Sequence, residues 1–169
     1  MRKTKQISLC ALLLALALAL SYLERFVPLQ LAIPIPGFKL GLANIVTMLA
    51  LCLFPKRYAL LILIPRCILG AVFGGGITGL VFSLCGGLLA LGCMALAMSN
   101  SRLSIYGISI LGAAAHNLGQ ILAAMGLMRS VYVGAYLPWL LMMGIVTGML
   151  TGSICAGILK VLPRQGGSI

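Results

Sequence analysis

The sequence predicts an all-α membrane protein of six transmembrane helices with both termini cytoplasmic. Three observations predict this. Hydrophobic residues make up 62% of the chain and charged residues 8%, whereas a water-soluble domain carries about 25% charged residues. The apolar residues fall in long runs, and a membrane helix needs about 20 of them in succession. Six such runs with short joints take up nearly all of 1–169, which makes one integral membrane domain with no soluble part.

Helix 1 is read at about 6–26. The start, MRKTKQISLCALLLALALALS, has the basic head, apolar run and A-x-A site (Ala17–Ala19) of a secretory signal. The run continues through Tyr22 and Leu23, and five more apolar segments follow, so an uncleaved first helix is expected. Pro28, Pro34 and Pro36 make 27–38 a stiff loop. Helix 2 is read at 39–54, and Pro55-Lys56-Arg57 turns the chain into helix 3 at 58–73. Gly74-Gly75-Gly76 marks the next turn, helix 4 covers 77–98, and the polar stretch SNSRLS links it to helix 5 at 105–128. Residues 129–137 form a loop, helix 6 covers 138–162, and a short tail follows.

Basic residues set the orientation. With six spans, one side holds Arg2, Lys3, Lys5, Lys56, Arg57, Arg102, Lys160 and Arg164, and the other holds Arg25, Lys39 and Arg129. The richer side faces the cytoplasm. The same placement explains the net charge of +11 without nucleic acid, because the basic residues sit singly or in short groups between apolar runs. The six cysteines form no CxxC and no Cys/His cluster, so neither a metal site nor a disulfide is expected.

Glu24 is the single acidic residue. The chain therefore lacks paired carboxylates for acid–base chemistry and an acidic cage for Mg²⁺. Polar side chains inside the membrane mark function more often than elsewhere. Arg66 lies roughly 12 Å into helix 3 at 1.5 Å per residue. With Glu24 placed at the outer end of helix 1, Arg66 is expected to meet carbonyls freed by Pro65, water, or an anion from elsewhere. His116, Asn117 and Gln120 share one face of helix 5, within an arc of about 100°. This face suits the lining of a cavity. Asn44 and Thr47 form a similar face on helix 2, with Gly41 and Met48; Thr147 and Thr151 lie on helix 6, where hydroxyls often bond their own backbone. Lys39 sits at the outer mouth, where a lysine can snorkel to the interface. The stretch Gly37-Phe38-Lys39-Leu40-Gly41, next to the proline-rich loop, suits a lid over an outward-facing pocket.

Small residues recur at four-residue steps: Gly75, Gly79, Ser83 and Gly87 on helix 4; Ala115, Gly119 and Ala123 on helix 5; Gly144, Gly148, Gly152 and Ala156 on helix 6. Such faces let helix backbones approach closely, and internal packing is the reading for these three helices. The stripe Ala11, Ala15 and Ala19 on helix 1 can instead dock a separate membrane subunit.

PGFKLGLANIVTMLAL (36–51), PRCILGAVFGG (65–75), FSLCGGLLAL (82–91), GISILGAAAHNLGQILAA (107–124) and YLPWLLMMGIVTGMLTG (136–152) together resemble the bacterial Gx transporter family, often labelled heptaprenyl diphosphate synthase component I. The resemblance runs from about residue 5 to 160, with KLGLAN and AHNLGQ its most specific segments. That family is in turn similar to the substrate-binding S components of energy-coupling-factor transporters. The resemblance implies an S-component-like bundle in the bacterial cell membrane that binds a small molecule from outside. It also implies a transmembrane coupling subunit and two ATPase subunits as partners. Ala11–Ala15 and Ala15–Ala19 match the AxxxA docking motif of those first helices.

The leading expectation is thus a non-enzymatic substrate-capturing subunit, without cofactor. Lys39, Asn44, Arg66, His116, Asn117 and Gln120 are its candidate substrate-binding residues, and a micronutrient or an isoprenoid or quinone precursor is its substrate. The chain has no GxxxxGK[ST] loop, so ATP must be handled by partners. The alternatives are a non-catalytic accessory subunit of heptaprenyl diphosphate synthesis and a stand-alone facilitator. The Asp-rich Mg²⁺ sites of polyprenyl diphosphate synthases cannot be built from a chain without aspartate.

Overall fold

The computed structural model describes residues 3–26, 39–100 and 102–161. The proline loop at 27–38, Gly37 and Phe38 of the expected lid, and the tail beyond 161 lie outside the described residues. The described part is helical, without strands.

Helix α1 covers Lys3–Leu23 and ends in a 3-10 turn, Glu24–Phe26. Helix α2 is Asn44–Leu53, α3 is Lys56–Gly70, α4 is Gly76–Ala97, α5 is Ile105–Met128 and α6 is Leu137–Val161. Ser104 caps α5, its hydroxyl accepting from Gly107 N–H at 3.2 Å. At the other end Arg129 takes the left-handed conformation (φ 49°), and the Ser130 N–H donates back to Met125 O. The expected loop at 129–137 contains a 3-10 helix, Val131–Tyr136.

Among the described residues, four helical segments are long and apolar enough to cross a bilayer: Thr4–Leu23, Lys56–Ala97, Ile105–Met128 and Val131–Val161. The second is a hairpin rather than one rod. Ala71–Gly75 forms a π-type turn with Gly74 at φ 105°, and Gly76 follows at φ 62°. Those angles favour glycine and reverse the chain. Lys56 Nζ then donates to Ala95 O at 2.9 Å across the hairpin.

Helix α2 corrects the expected range of 39–54. It has ten residues and starts at Asn44. Residues 39–43 are apolar enough to extend it, but their backbone groups are used elsewhere. Lys39 N–H donates to the Gln120 side chain, Leu42 N–H donates to Glu24, and Gly41 sits at φ 83°. The left-handed turn at Gly41 cannot belong to a right-handed helix, and the Lys39 and Leu42 N–H groups find side-chain acceptors outside one.

Helices α4, α5 and α6 pack as an antiparallel layer, and the small residues are at the contacts. A Cβ on Gly119 would lie 2.6 Å from Cys85 O, one on Gly148 2.6 Å from Ile110 Cα, and one on Gly112 2.6 Å from Met94 Cγ. The hydroxyls of Ser109 and Thr151 pair across α5 and α6 at 2.6 Å. Met48, Leu49, Leu63 and Met94 fill the apolar core toward the end that carries Lys56 and Lys160. Phe82, Ile121, Ala124 and Leu140 form a second cluster among α4, α5 and α6. Along α4 and α5 the polar residues fall between these two clusters.

On α1, Leu13 and Ala17 are buried against the bundle, while Ala11, Ala15 and Ala19 are exposed on the outer face.

The close contacts predict the outcome of a glycine pair. Gly119→Ala should cost about 1–3 kcal/mol through overpacking, seen as a lower thermal midpoint of the purified protein. Gly126→Ala, with nothing within 4 Å of its Cβ position, should leave the midpoint unchanged.

Candidate functional site

A buried polar cluster lies where the 39–43 segment crosses α4 and α5. Glu24, Asn44, Arg66, His116 and Gln120 are each at most 6% exposed. Five of the six expected binding residues, Lys39, Asn44, Arg66, His116 and Gln120, come together here with Ser83 and Glu24, which the sequence reading had not assigned to the site.

Helix α5 supplies the floor. His116 and Gln120, one turn apart, share a face, and Gln120 Nε2 lies 2.9 Å from His116 Nε2. Lys39 N–H donates to Gln120 Oε1 at 3.3 Å, which fixes the amide orientation. Nε2 of Gln120 then donates, His116 Nε2 accepts, and a neutral imidazole carries its proton on Nδ1. That Nδ1 is buried and lies against the Gly86 backbone without the alignment of a hydrogen bond. Asn44 Oδ1 is also buried and without a hydrogen-bond partner. Two glycines make room for the ring. A Cβ on Gly86 would be 2.8 Å from His116 Nδ1, and one on Gly41 2.8 Å from His116 Cδ2.

Lys39 does not snorkel. Its side chain turns inward and Nζ donates to Ser83 Oγ on α4 at 2.8 Å. The segment it begins is held by Glu24, whose Oε1 accepts from Leu42 N–H at 2.7 Å.

Arg66 lies ten residues into α3, on the face toward α4. A Cβ on Gly87 would be 3.2 Å from its Nη2. Two expectations about it are corrected. It does not bond the carbonyls near Pro65: among the described residues its hydrogen-bond partner is the Cys67 thiol, at a weak 3.8 Å. Nor is Glu24 out of reach. The carboxyl is buried in the bundle and feels the charges of both Lys39 and Arg66.

Asn117 belongs elsewhere. Its Nδ2 donates to Leu140 O at 2.6 Å, tying α5 to α6, and Gly144 leaves the space for it. Thr147 and Thr151 accordingly bond backbone carbonyls on their own helix. Among the described residues no group of three or more His, Cys, Asp or Glu could hold a metal ion.

The chain matches, over residues 13–158, the family described as heptaprenyl diphosphate synthase component I. It belongs to that family. Comparison with curated proteins and with solved structures gave no match. The matched span of this component I family member holds every member of the polar cluster, from Glu24 to Gln120, together with α2 to α5 entire.

Burial raises the Glu24 carboxyl above its ordinary range, while the Leu42 N–H and the charges of Lys39 and Arg66 pull it down without cancelling the rise. A raised carboxyl binds its proton more readily in the folded state. Its contribution to stability is therefore present below the ordinary value and lost as pH rises through the raised one. Glu24→Gln, which cannot titrate, should flatten that part of the stability profile, read as thermal midpoint against pH.

Proposed function

We propose that the protein is the substrate-capturing membrane subunit of an importer of the energy-coupling-factor type. In this reading all six helices traverse or enter the membrane, and both termini lie in the cytoplasm. Residues 39–43 then sit at the outer side, above Asn44, His116 and Gln120. The observation that carries the reading is the pair of buried polar atoms without hydrogen-bond partners, His116 Nδ1 and Asn44 Oδ1, in one cluster beneath that segment. Leaving such groups unsatisfied costs about 1–3 kcal/mol each, and a bound molecule offering one acceptor and one donor removes the cost. The substrate is a small micronutrient or a molecule like an isoprenoid or quinone precursor. The exposed face of Ala11, Ala15 and Ala19 on α1 is the proposed docking stripe for a transmembrane coupling subunit that works with two ATPases.

The second reading is a non-catalytic accessory subunit of heptaprenyl diphosphate synthesis, and the family description favours it. In both readings the chain is not itself an enzyme. Diphosphate chemistry with Mg²⁺ calls for several hard oxygen ligands, and this chain offers one acidic side chain.

Gentle extraction followed by native mass spectrometry should show a bound small molecule and recover ATPase subunits in the same complex. Asn44→Ala should lower occupancy by about tenfold, as expected for one lost hydrogen bond. Recovery of a soluble prenyl synthase without ATPases supports the accessory role instead.

A further inference from the structure

Arg66 is a guanidinium buried at mid-bundle whose one hydrogen-bond partner among the described residues is a thiol at 3.8 Å. Among the described residues no oxygen accepts from this guanidinium, whose fork of N–H donors suits planar oxyanions. An anion completes such a group better than any neutral molecule, and a carboxylate does so with two parallel hydrogen bonds.

The surrounding charges limit what that anion can be. Lys39 and Arg66 bring two positive charges, and Glu24 brings one negative charge within reach of both. With Glu24 in its ionised form the sum is a single positive charge. A monoanion balances it. A diphosphate, with more negative charge, adds repulsion against Glu24.

The apolar part of such a molecule has a place nearby. A groove of about 390 Å³ lies between α1 and α3, lined by Leu18, Ala19, Ser21, Tyr22, Gly70 and Phe73. Gly70 is one turn beyond Arg66 on the same face of α3, and Ser21 and Tyr22 form the last turn of α1 before Glu24. Gly70 and the end of α1 thus bring walls of the groove within about one helical turn of Arg66 and Glu24 along the chain. Its volume is at the lower end of small-molecule sites, which run from about 300 to 1,000 Å³.

We propose that Arg66 anchors the head of a single-chain amphiphilic monoanion, a molecule with one carboxylate that is not a bilayer lipid, whose apolar remainder lies in the α1–α3 groove. Glu24 sets the charge that the site accepts. This rests on the capture reading above and names its substrate class.

Three probes with the same fifteen-carbon chain separate the contributions: farnesoic acid, farnesol and farnesyl diphosphate. Each is titrated against the full chain in phosphatidylcholine nanodiscs at neutral pH. The acid should bind at least about tenfold more tightly than the alcohol or the diphosphate, as expected for one charge-assisted pair. Arg66→Gln should bring the acid down to the level of the alcohol and leave the alcohol unchanged. Glu24→Gln should move the preference toward the diphosphate. Gly70→Leu fills the groove at a position with nothing within 4 Å of its Cβ. It should weaken acid and alcohol alike, and it keeps the test decisive if Arg66→Gln fails to fold.

Wild-type protein that binds the alcohol or the diphosphate as well as the acid overturns the proposal. So does an acid-to-alcohol ratio that survives Arg66→Gln, or a Gly70→Leu variant that binds all three probes as before. Displacement of the acid by phosphatidylglycerol added to the nanodiscs, at equal concentration, identifies a bilayer lipid as the occupant and overturns it too. If no probe binds while a neutral molecule copurifies with the protein, the monoanion is wrong and the capture reading stands. If no small molecule binds at all, both fall.

Discussion

One buried carboxyl feels the charges of two cations, the buried Arg66 guanidinium and the half-buried Lys39 ammonium. Removing a charge from water costs several kcal/mol even after the protein relaxes around it. Lys39 and Arg66 come from different parts of the chain, and Glu24 is the sole acidic side chain available to offset them. Its position at the end of α1 explains why that helix stops where it does. The carboxyl has to reach inward, and in doing so it accepts the Leu42 N–H and fixes the 39–43 segment. With that segment fixed, Lys39 falls on Ser83 and Gln120, and Gln120 orients His116. The whole cluster follows from one placement.

The frame around the cluster is made rigid by small residues. Among α4, α5 and α6 the glycines admit backbone, a methionine side chain and an asparagine amide at separations that a Cβ would forbid. Dispersion contacts of this kind replace the hydrophobic driving force that helices in lipid lack. Asn117 adds a direct tie from α5 to the α6 backbone. The 39–43 segment is built differently. It is held by three side chains, from Glu24, Ser83 and Gln120, rather than by helix packing. A fixed floor under a separately held cover is an arrangement suited to admitting and retaining a ligand.

Much of this was legible in the sequence, for reasons that particular residues make clear. Helix 5 was read at 105–128 because its apolar run lies between the polar stretch SNSRLS and the loop that starts at Arg129. The small-residue stripes announced the α4–α5–α6 contacts. The face of His116 and Gln120 followed from helical geometry alone. Asn117 shares that arc but turns to α6, since an arc of about 100° is wide enough to touch two neighbours. Helix 2 was drawn too long because Leu40, Leu42 and Ala43 are apolar, and hydropathy does not say which distant side chain will take a backbone N–H. The link between Glu24 and Arg66 was missed for the same reason. They are 42 positions apart, and no periodicity joins a helix end to the interior of another helix. Ser83 stood in the glycine stripe of helix 4, and that was the available signal for it.

The claim that buried Glu24 feels the charges of Arg66 and Lys39 can be read directly, because the chain has no other acidic side chain to obscure it. Infrared titration of the carboxyl band in lipid nanodiscs, for the wild type and for Arg66→Gln, measures its protonation. The account predicts a wild-type midpoint above that of an ordinary glutamate, moving further upward when the guanidinium is removed. A midpoint in the ordinary range that Arg66→Gln leaves unmoved would place the carboxyl in solvent, away from the cluster, and contradict it.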